Sequence, residues 1–249
     1  MKTVNIKQKL IDIDIELDNI VLGDFDRIGE FTAKKVRDPN DPLYSSVGAF
    51  YRPQYERGIL IYSLIRSFKM RSMFEIGTGR GYATFCAAKA FHDMGIKGTI
   101  VTIDVESKVD LFNNLKNVFP IEWFTMIHQL TGTSKRWLSL DNPDRIQKKF
   151  DLVYIDGAHD HESTKFDIES THQLCSVAML MDDYHLPTKV DPGIQCAKAI
   201  DEFSWETNGF NEPECVISDR RIFVDDRKFP DEAIDYGQAL AVRKERGAP

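Results

Sequence analysis

Aspartates stand where predicted apolar strands end, and these are the residues of this chain best suited to chemistry. Asp104 ends the second predicted strand, Asp156 the fourth, and Asp182 and Asp183 the fifth. Mostly apolar strands indicate the interior of a parallel sheet. Ligands bind such open sheets beyond the carboxyl ends of the strands. We therefore expect the four carboxylates to cluster at one edge, where a ligand would bind.

A glycine-rich turn comes before these acids, in the segment M-F-E-I-G-T-G-R-G-Y at 73–82. Gly77, Gly79 and Gly81 lie between a short apolar strand and the start of a helix. Glycine tolerates positive φ and close approach by a ligand, and such a turn points free helix N–H groups at whatever binds there. The dinucleotide fingerprint needs glycine at position 82, which is Tyr82. The turn alone therefore predicts either a nucleoside-like ligand or a purely structural turn.

Asp104 lies 23 positions after Gly81 (104 − 81), at a strand end. A carboxylate there can accept hydrogen bonds from both hydroxyls of a ribose. The alternative is an aspartate that only forms the turn.

Asp156, Asp182 and Asp183 suit a divalent cation. The fourth and fifth strands should be neighbours, and a hard cation would relieve the repulsion between converging carboxylates. An all-oxygen set favours Mg²⁺, with Ca²⁺ or Mn²⁺ as alternatives. Adjacent residues of an extended strand face opposite sides, so Asp182 and Asp183 can both ligate only if the strand has ended. The alternative is that these acids form turns and bind nothing.

His159 is the candidate base, three residues after Asp156. An imidazole titrates near neutrality and can take a proton from a substrate hydroxyl. The alternative is a solvent-exposed histidine in a turn. His161 and His185 are nearby but rank lower, as positional or surface residues.

Several motifs resemble known families. The pattern E-x-G-x-G-x-G at 75–81 is similar to the first motif of class I S-adenosylmethionine (SAM)-dependent methyltransferases. The segments D-G-A-H at 156–159 and M-D-D-Y-H at 181–185 resemble the metal-dependent sugar and small-molecule O-methyltransferases, such as the macrocin and mycinamicin enzymes. They also resemble the cephalosporin hydroxylase-like proteins, which share that fold. The resemblance covers roughly residues 54–225.

This resemblance implies where the cofactor binds. The methyl donor's amino-acid end would lie on the glycine turn, and its ribose on Asp104. Thr133 and Ser134, after the third strand, would bind the adenine or else cap the next helix. The implied cofactor-binding residues are Glu75, Gly77, Thr78, Gly79, Gly81, Asp104, Thr133 and Ser134.

The resemblance also implies the reaction. Asp156, Asp182 and Asp183 would all ligate the metal, which lowers the pKa of the acceptor hydroxyl, and His159 would be the base. We expect SAM-dependent O-methylation of a small hydroxylated acceptor, such as a sugar or natural-product intermediate. The alternatives are a hydroxylase-like protein, a nucleotide-binding oxidoreductase, or a non-catalytic member that binds a nucleoside.

Strand and helix patterns alternate along the chain, which predicts an α/β fold. The expected architecture is a doubly wound Rossmann-like sheet of about seven strands with helices on both faces. The predicted strands are 72–76, 99–104, 123–129, 150–156, 177–183, 214–218 and 221–224. A helical or irregular N-terminal extension (1–53, with a possible lid at 37–53) precedes the methyltransferase domain (54–228), and a polar, helical tail (229–249) follows it. Alternating isoleucines at 11–15 leave a short strand as a competing prediction for part of the extension.

Composition supports an ordinary globular enzyme. The chain has 249 residues, 42% of them hydrophobic, and a net charge of −7, which disfavours nucleic acid as a partner. The four cysteines form no C-x-x-C pair, as expected for reduced thiols in the cytoplasm. No stretch reads as a signal peptide or membrane span. We expect a small-molecule acceptor, no nucleic acid and no membrane; a homo-oligomer is possible through the apolar N-terminal segment.

Overall fold

A mixed eight-stranded sheet forms the centre of the protein. The computed structural model describes residues 1–15, 22–32, 34–35, 50–51, 55–185, 194–217 and 236–244. Its strands are Lys2–Asn5 (β1), Lys34–Lys35 (β2), Phe50–Tyr51 (β3), Ser72–Ile76 (β4), Thr99–Asp104 (β5), Ile127–Thr131 (β6), Phe150–Ile155 (β7), Cys175–His185 (β8), Glu214–Ile217 (β9) and Tyr236–Val242 (β10). Its α-helices are Ile6–Asp12 (α1), Leu22–Thr32 (α2), Tyr55–Ser67 (α3), Tyr82–Asp93 (α4), Val109–Leu115 (α5), Ile121–Phe124 (α6), Ser134–Leu138 (α7), His161–Thr171 (α8) and Cys196–Glu202 (α9). Of the helices the structure describes, none is both long and apolar enough to cross a lipid bilayer.

The strand order places the predicted site at one edge of the sheet. The order is β1-β9-β10-β8-β7-β4-β5-β6, and the run from β8 to β6 is parallel. The register aligns the row Ile103, Ile76, Ile155 and Met181 across four of these strands. The next residue of each strand therefore lies at the same carboxyl edge, where we expected the candidate residues to meet.

Two hydrophobic cores lie on opposite faces of the sheet. Met73 and Leu152 pack into the core beneath α3 and α4, whereas their neighbours Phe74 and Val153 pack into the core beneath α8 and α9. This alternation follows from the two-residue period of a strand. It confirms the predicted α/β architecture with helices on both faces.

The N-terminal segment departs from the prediction in one respect. Helices α1 and α2 confirm its helical character, and the competing strand at 11–15 is wrong for the described residues because α1 continues to Asp12 and a turn follows. The segment was expected to lie outside the main sheet, but β1 pairs in parallel with β9. Only four residues form β1, too few for a periodic pattern to reveal them.

The third predicted strand, 123–129, is displaced. Trp123 and Phe124 belong to the short helix α6, and the strand itself is Ile127–Thr131. The apolar residues of α6 pack in the same aromatic core as Phe85 and Phe119. A short apolar run satisfies helix and strand patterns equally, so its type could not be read from the pattern alone.

The C-terminal segment contains the largest correction. A helix was predicted over 229–249, but Tyr236–Val242 form β10, which is antiparallel to both β8 and β9 and lies between them. Ala239, Leu240 and Ala241 are buried there. The predicted strand at 221–224 and most of the predicted lid lie outside the described residues.

Candidate functional site

The glycine turn between β4 and α4 has the conformation that its sequence predicts. Gly77, Gly79 and Gly81 have φ values of 92°, 53° and 86°, which non-glycine residues rarely adopt. The backbone N–H groups of Gly77 and Thr78 donate to the Ile103 carbonyl at 2.9 and 3.2 Å. The turn is thus fixed to the end of β5.

Gly77 also fixes the distance between the two halves of the site. A Cβ at Gly77 would lie 1.9 Å from the carbonyl oxygen of Asp156, and the Asp156 N–H donates to the Ile76 carbonyl at 2.8 Å. Only glycine permits this approach. The glycine turn and the first residue of the acid cluster are therefore in direct backbone contact.

Glu75 lies beneath the turn and is buried. Its Oε2 accepts hydrogen bonds from the hydroxyls of Thr84 and Thr102, each at 2.5 Å, and the Thr78 hydroxyl bonds that of Thr102 at 2.6 Å. Burial raises the pKa of Glu75 to about 8, because a charged carboxylate is poorly solvated there. Glu75 and Thr78 thus support the turn from below, and direct contact with a cofactor stays a prediction for both.

Asp104 contacts the glycine turn, and its role in binding a ribose stays a prediction. Its Oδ2 accepts from the Gly79 N–H at 2.8 Å, and its Oδ1 accepts from the Glu106 N–H at 3.0 Å. The ammonium of Lys108 lies 3.3 Å from Oδ1. A carboxylate offers about four acceptor positions, so these three contacts leave one, and binding both hydroxyls of a ribose would require Lys108 to move away.

Thr133 and Ser134 follow β6 at the same edge. The Thr133 hydroxyl accepts from the Arg136 N–H at 3.3 Å and caps α7, so the alternative of a helix cap is confirmed for Thr133. Ser134 hydrogen-bonds the buried carboxylate of Asp167. Adenine binding by either residue stays a prediction.

Asp182 and Asp183 lie within β8 and not at its end, which corrects the predicted strand boundary at 183. A β-bulge sets two residues, Asp182 and Asp183, opposite the single residue Gln238 of β10. Asp183 adopts a left-handed φ of 53°. The bulge interrupts the alternation of an extended strand, and the two acids reach different partners.

Asp183 joins Asp156 and His159 in a cluster suited to a cation. One ligand atom from each of these three residues lies within 4.8 Å of the others. The donors are two carboxylates and an imidazole, a set that fits Mn²⁺ or Zn²⁺ as well as Mg²⁺. Among the described residues, these three are the group that fits the predicted metal.

His159 is oriented by Asp183. Its Nδ1 lies 2.8 Å from Asp183 Oδ2, and this hydrogen bond, with one to Cys196, raises the pKa of His159 to about 11. The imidazole therefore carries a proton at neutral pH. It can act as a base only once the bond to Asp183 is broken or that carboxylate is otherwise neutralised.

Arg57 was missed by the sequence analysis. Its Nη1 donates to Asp156 Oδ2 at 2.6 Å, and its Nη2 contacts Asp182. Burial works against the charge of Arg57, but Asp156 and Asp182 outweigh it and raise the arginine pKa further above its usual value. Burial raises the pKa of both aspartates, and Arg57 opposes that shift. Arg57 belongs to no motif, so only the packing of α3 reveals it.

Two further predicted candidates have other surroundings. His161 lies between Glu162 and Glu202, 3.0 and 2.8 Å from their carboxylates. Both of its ring nitrogens are thus engaged by carboxylates, which is consistent with ranking it below His159 as a candidate base. The side chain of His185 lies outside the described residues.

Comparisons with known proteins agree with this geometry. Residues 74–184 match a family model described as a methyltransferase domain. They run from β4 to β8 and include the acid cluster and all eight of the predicted cofactor-binding residues. A sequence search of the curated proteins finds no match.

Solved structures share the fold at low sequence identity. The O-methyltransferase TomG from Streptomyces achromogenes, solved with SAM, is 20% identical, covers 77% of this chain and 81% of its own, and has a TM-score of 0.54. An O-methyltransferase from Bacillus cereus, solved with SAH, is 18% identical with coverages of 77% and 82% and a TM-score of 0.54. A methyltransferase from Podospora anserina, bound to SAH, is 17% identical with coverages of 89% and 88% and a TM-score of 0.54.

These findings define the fold of the protein. Residues 74–184 match a methyltransferase domain, and the described chain shares the Rossmann-like fold of solved O-methyltransferases bound to SAM or SAH.

Proposed function

We propose that this protein transfers the methyl group of SAM to a hydroxyl oxygen of a small acceptor. The observation that carries the proposal is the backbone contact between Gly77 and Asp156. It sets the glycine turn directly beside the cluster of Asp156, His159 and Asp183. A methyl donor on the turn and a hydroxyl at the cluster would be adjacent reactants, and alignment of two reactants supplies a large share of the rate enhancement in such reactions.

The cofactor half of the site uses the turn and the end of β5. The N-terminal end of α4 suits the carboxylate of the methionine end, and Asp104 suits the ribose hydroxyls. Thr133 and Ser134 lie next along the edge, because β6 pairs with β5 and brings Thr131 opposite Asp104. This order follows the order of the cofactor's parts, from amino acid through ribose to adenine.

The acceptor half of the site uses Asp156, His159 and Asp183. A divalent cation held there would lower the pKa of the acceptor hydroxyl. Asp182, predicted as a further ligand, contacts Arg57 and would have to leave it to join the set. His159 would take the hydroxyl proton once the cation has neutralised Asp183 and the imidazole has lost its own proton.

We also propose the class of acceptor and the compartment in which the protein works. The acceptor is a sugar or natural-product intermediate, by resemblance to the macrocin and mycinamicin enzymes. The net charge of −7 disfavours nucleic acid as a partner, and the four free cysteines fit a protein of the reducing cytoplasm. These assignments rest on sequence motifs and composition.

A binding and mass experiment tests the proposal. Calorimetry with SAM, and with NADH as the control, should show binding of SAM alone. Incubation of the protein and SAM with a panel of sugars, phenols and hydroxylated natural products should add one methylene group to an acceptor. A mass gain of one oxygen would favour the hydroxylase-like alternative. NADH binding without SAM binding would overturn the proposal.

The metal is tested on the same reaction. Treatment with a chelator should lower the rate, and Mg²⁺ or Mn²⁺ should restore it. An Asp156→Ala variant that keeps full activity in chelator would contradict a role for the metal.

A further inference from the structure

Arg57 connects two aspartates that come from different strands. Asp156 follows β7 and Asp182 lies in β8, yet one guanidinium contacts both. The side chain of Asp182 is only 1% exposed and that of Arg57 17%. A planar fork of N–H donors suits two carboxylates in a way that a single ammonium cannot.

The two carboxylates are also held by neutral donors. The Tyr154 hydroxyl donates to Asp156 Oδ2 at 3.2 Å, the same oxygen that Arg57 contacts. The Gln238 amide donates to Asp182 Oδ1 at 3.3 Å, while Arg57 contacts Oδ2. Both oxygens of Asp182 therefore have partners, whereas Arg57 and Tyr154 contact the same oxygen of Asp156.

Helix packing fixes the position of Arg57. The next residue, Gly58, faces α4 so closely that a Cβ there would lie 2.5 Å from Cys86 Sγ and 2.7 Å from the Tyr82 hydroxyl. Helix α3 thus approaches α4 at a distance that a larger residue would prevent. This contact brings the start of α3, and with it Arg57, up to the acids.

We propose that Arg57 is a positioning residue that serves as the fixed counter-charge of Asp156 and Asp182 and so decides which carboxylates a divalent cation can use. The cation is confined to Asp156 and Asp183, beside His159, and Asp182 is kept out of its ligand set. This inference rests on the cation site of the proposed function. Its physical basis is that two buried carboxylates without a counter-charge repel each other and attract any available cation.

Mn²⁺ binding to the protein without SAM or acceptor tests this inference. Arg57→Met removes the charge at similar length, and Arg66→Met removes a charge from the same helix, where Arg66 contacts the Tyr62 hydroxyl. Titration followed by electron paramagnetic resonance should show that Arg57→Met binds Mn²⁺ roughly tenfold or more tightly than the wild type, because a repelling charge is lost and Asp182 is released. Arg66→Met should bind like the wild type.

The outcomes separate this inference from the cation site itself. If the wild type binds Mn²⁺ and Arg57→Met binds no more tightly, the role of Arg57 is wrong and the cation site stands. If only Arg57→Met binds, the role of Arg57 is supported and the wild-type cation site is wrong. If neither binds, both are wrong.

A second pair of variants does not depend on the folding of Arg57→Met. Asp182→Asn should change Mn²⁺ affinity little, whereas Asp183→Asn should weaken it by roughly tenfold or more, because only Asp183 would ligate. Equal losses in the two variants would show that Asp182 is a ligand and would overturn the inference.

Discussion

At the scale of single residues, the site depends on Gly77 and Arg57. The sequence predicts a role for Gly77 but gives no indication of one for Arg57. Gly77 is part of a glycine motif and is needed because its backbone contacts Asp156. Arg57 is part of no motif, yet it contacts two of the predicted metal ligands. Asp156 and Asp182 were both predicted to ligate a metal, but each is paired with Arg57 in the structure.

Gly77→Ala should destabilise the protein more than Gly79→Ala. Both residues have positive φ, which costs a non-glycine residue roughly 1–2 kcal/mol. Only at Gly77 would the new Cβ also collide with backbone, since Gly79 has open space around its Cα. Urea unfolding of both variants measures the difference, and equal losses of stability would contradict the close approach to Asp156.

Glu75→Gln should alter the pH dependence of stability. The folded-state pKa of Glu75, about 8, lies above its ordinary value of 4.5, so between these values the unfolded chain binds fewer protons than the folded one. Glu75 therefore lowers wild-type stability progressively from about pH 4.5 to about pH 8, with no further change above. Glu75→Gln has no ionisable group at this position, so its stability should not fall in this way as the pH rises.

Urea unfolding at pH 6 and pH 9 checks this prediction. The stability difference between wild type and Glu75→Gln should shift in favour of the variant at pH 9. Glu169→Gln, at an exposed position of α8, is the control and should show no such shift. A parallel pH dependence of Glu75→Gln and wild type would contradict the burial of the charge.

At the scale of elements, close packing of α3 on α4 positions the acid-binding arginine. Helix α4 begins at the glycine turn, so the same helix contacts both the cofactor-binding turn and, through Gly58, the helix that carries Arg57. The β-bulge of β8 then divides Asp182 from Asp183 and directs them to different partners. The contact between α3 and α4 thus places Arg57 beside Asp182, and the extra residue in β8 turns Asp183 toward His159.

Gly58→Ala should separate these two helices. The added Cβ would collide with Cys86 and Tyr82, and overpacking of this kind costs about 1–3 kcal/mol. Gly23→Ala in α2 is a matched control, because a Cβ there meets nothing within 4 Å and alanine favours a helix. Thermal unfolding should show a lower Tm for Gly58→Ala and an unchanged or higher Tm for Gly23→Ala. The opposite order would contradict the tight helix contact.

At the scale of the whole molecule, the sheet needs both ends of the chain. Strand β1 pairs with β9, and β10 lies between β9 and β8. The N-terminal and C-terminal segments therefore complete the sheet on the side away from β4–β6. Domain limits drawn from sequence at 54 and 228 omit both of these strands.

A chain that ends at residue 228 should fail to fold cooperatively. It lacks β10, and without it β9 and β1 lose their connection to β8 and the buried row of Ala239, Leu240 and Ala241 is missing. A chain that ends at residue 244 keeps every described element and is the control. Circular dichroism with heating distinguishes the two, and a cooperative transition of the shorter chain near that of the control would contradict this role of β10.

The sequence by itself determined the elements with strong local patterns. The glycine turn, the helix after it and the apolar strands β4, β5 and β7 were predicted at almost their observed limits, because backbone preference and hydrophobic period act within a few residues. The convergence of Asp104, Asp156 and the acids of β8 followed as well, because parallel strands must end at a common edge.

Only the tertiary structure decided which of these acids act together. Whether Asp182 is paired with Arg57 or faces a cation depends on a helix contact between α3 and α4 and on a bulge opposite β10, which are far apart in sequence. The short β1 and the C-terminal β10 likewise carry weak local patterns and exist because partner strands are available to pair with them. Hydrogen bonds between distant segments and close packing at Gly58 and Gly77 depend on the fold as a whole, which local patterns of residues do not specify.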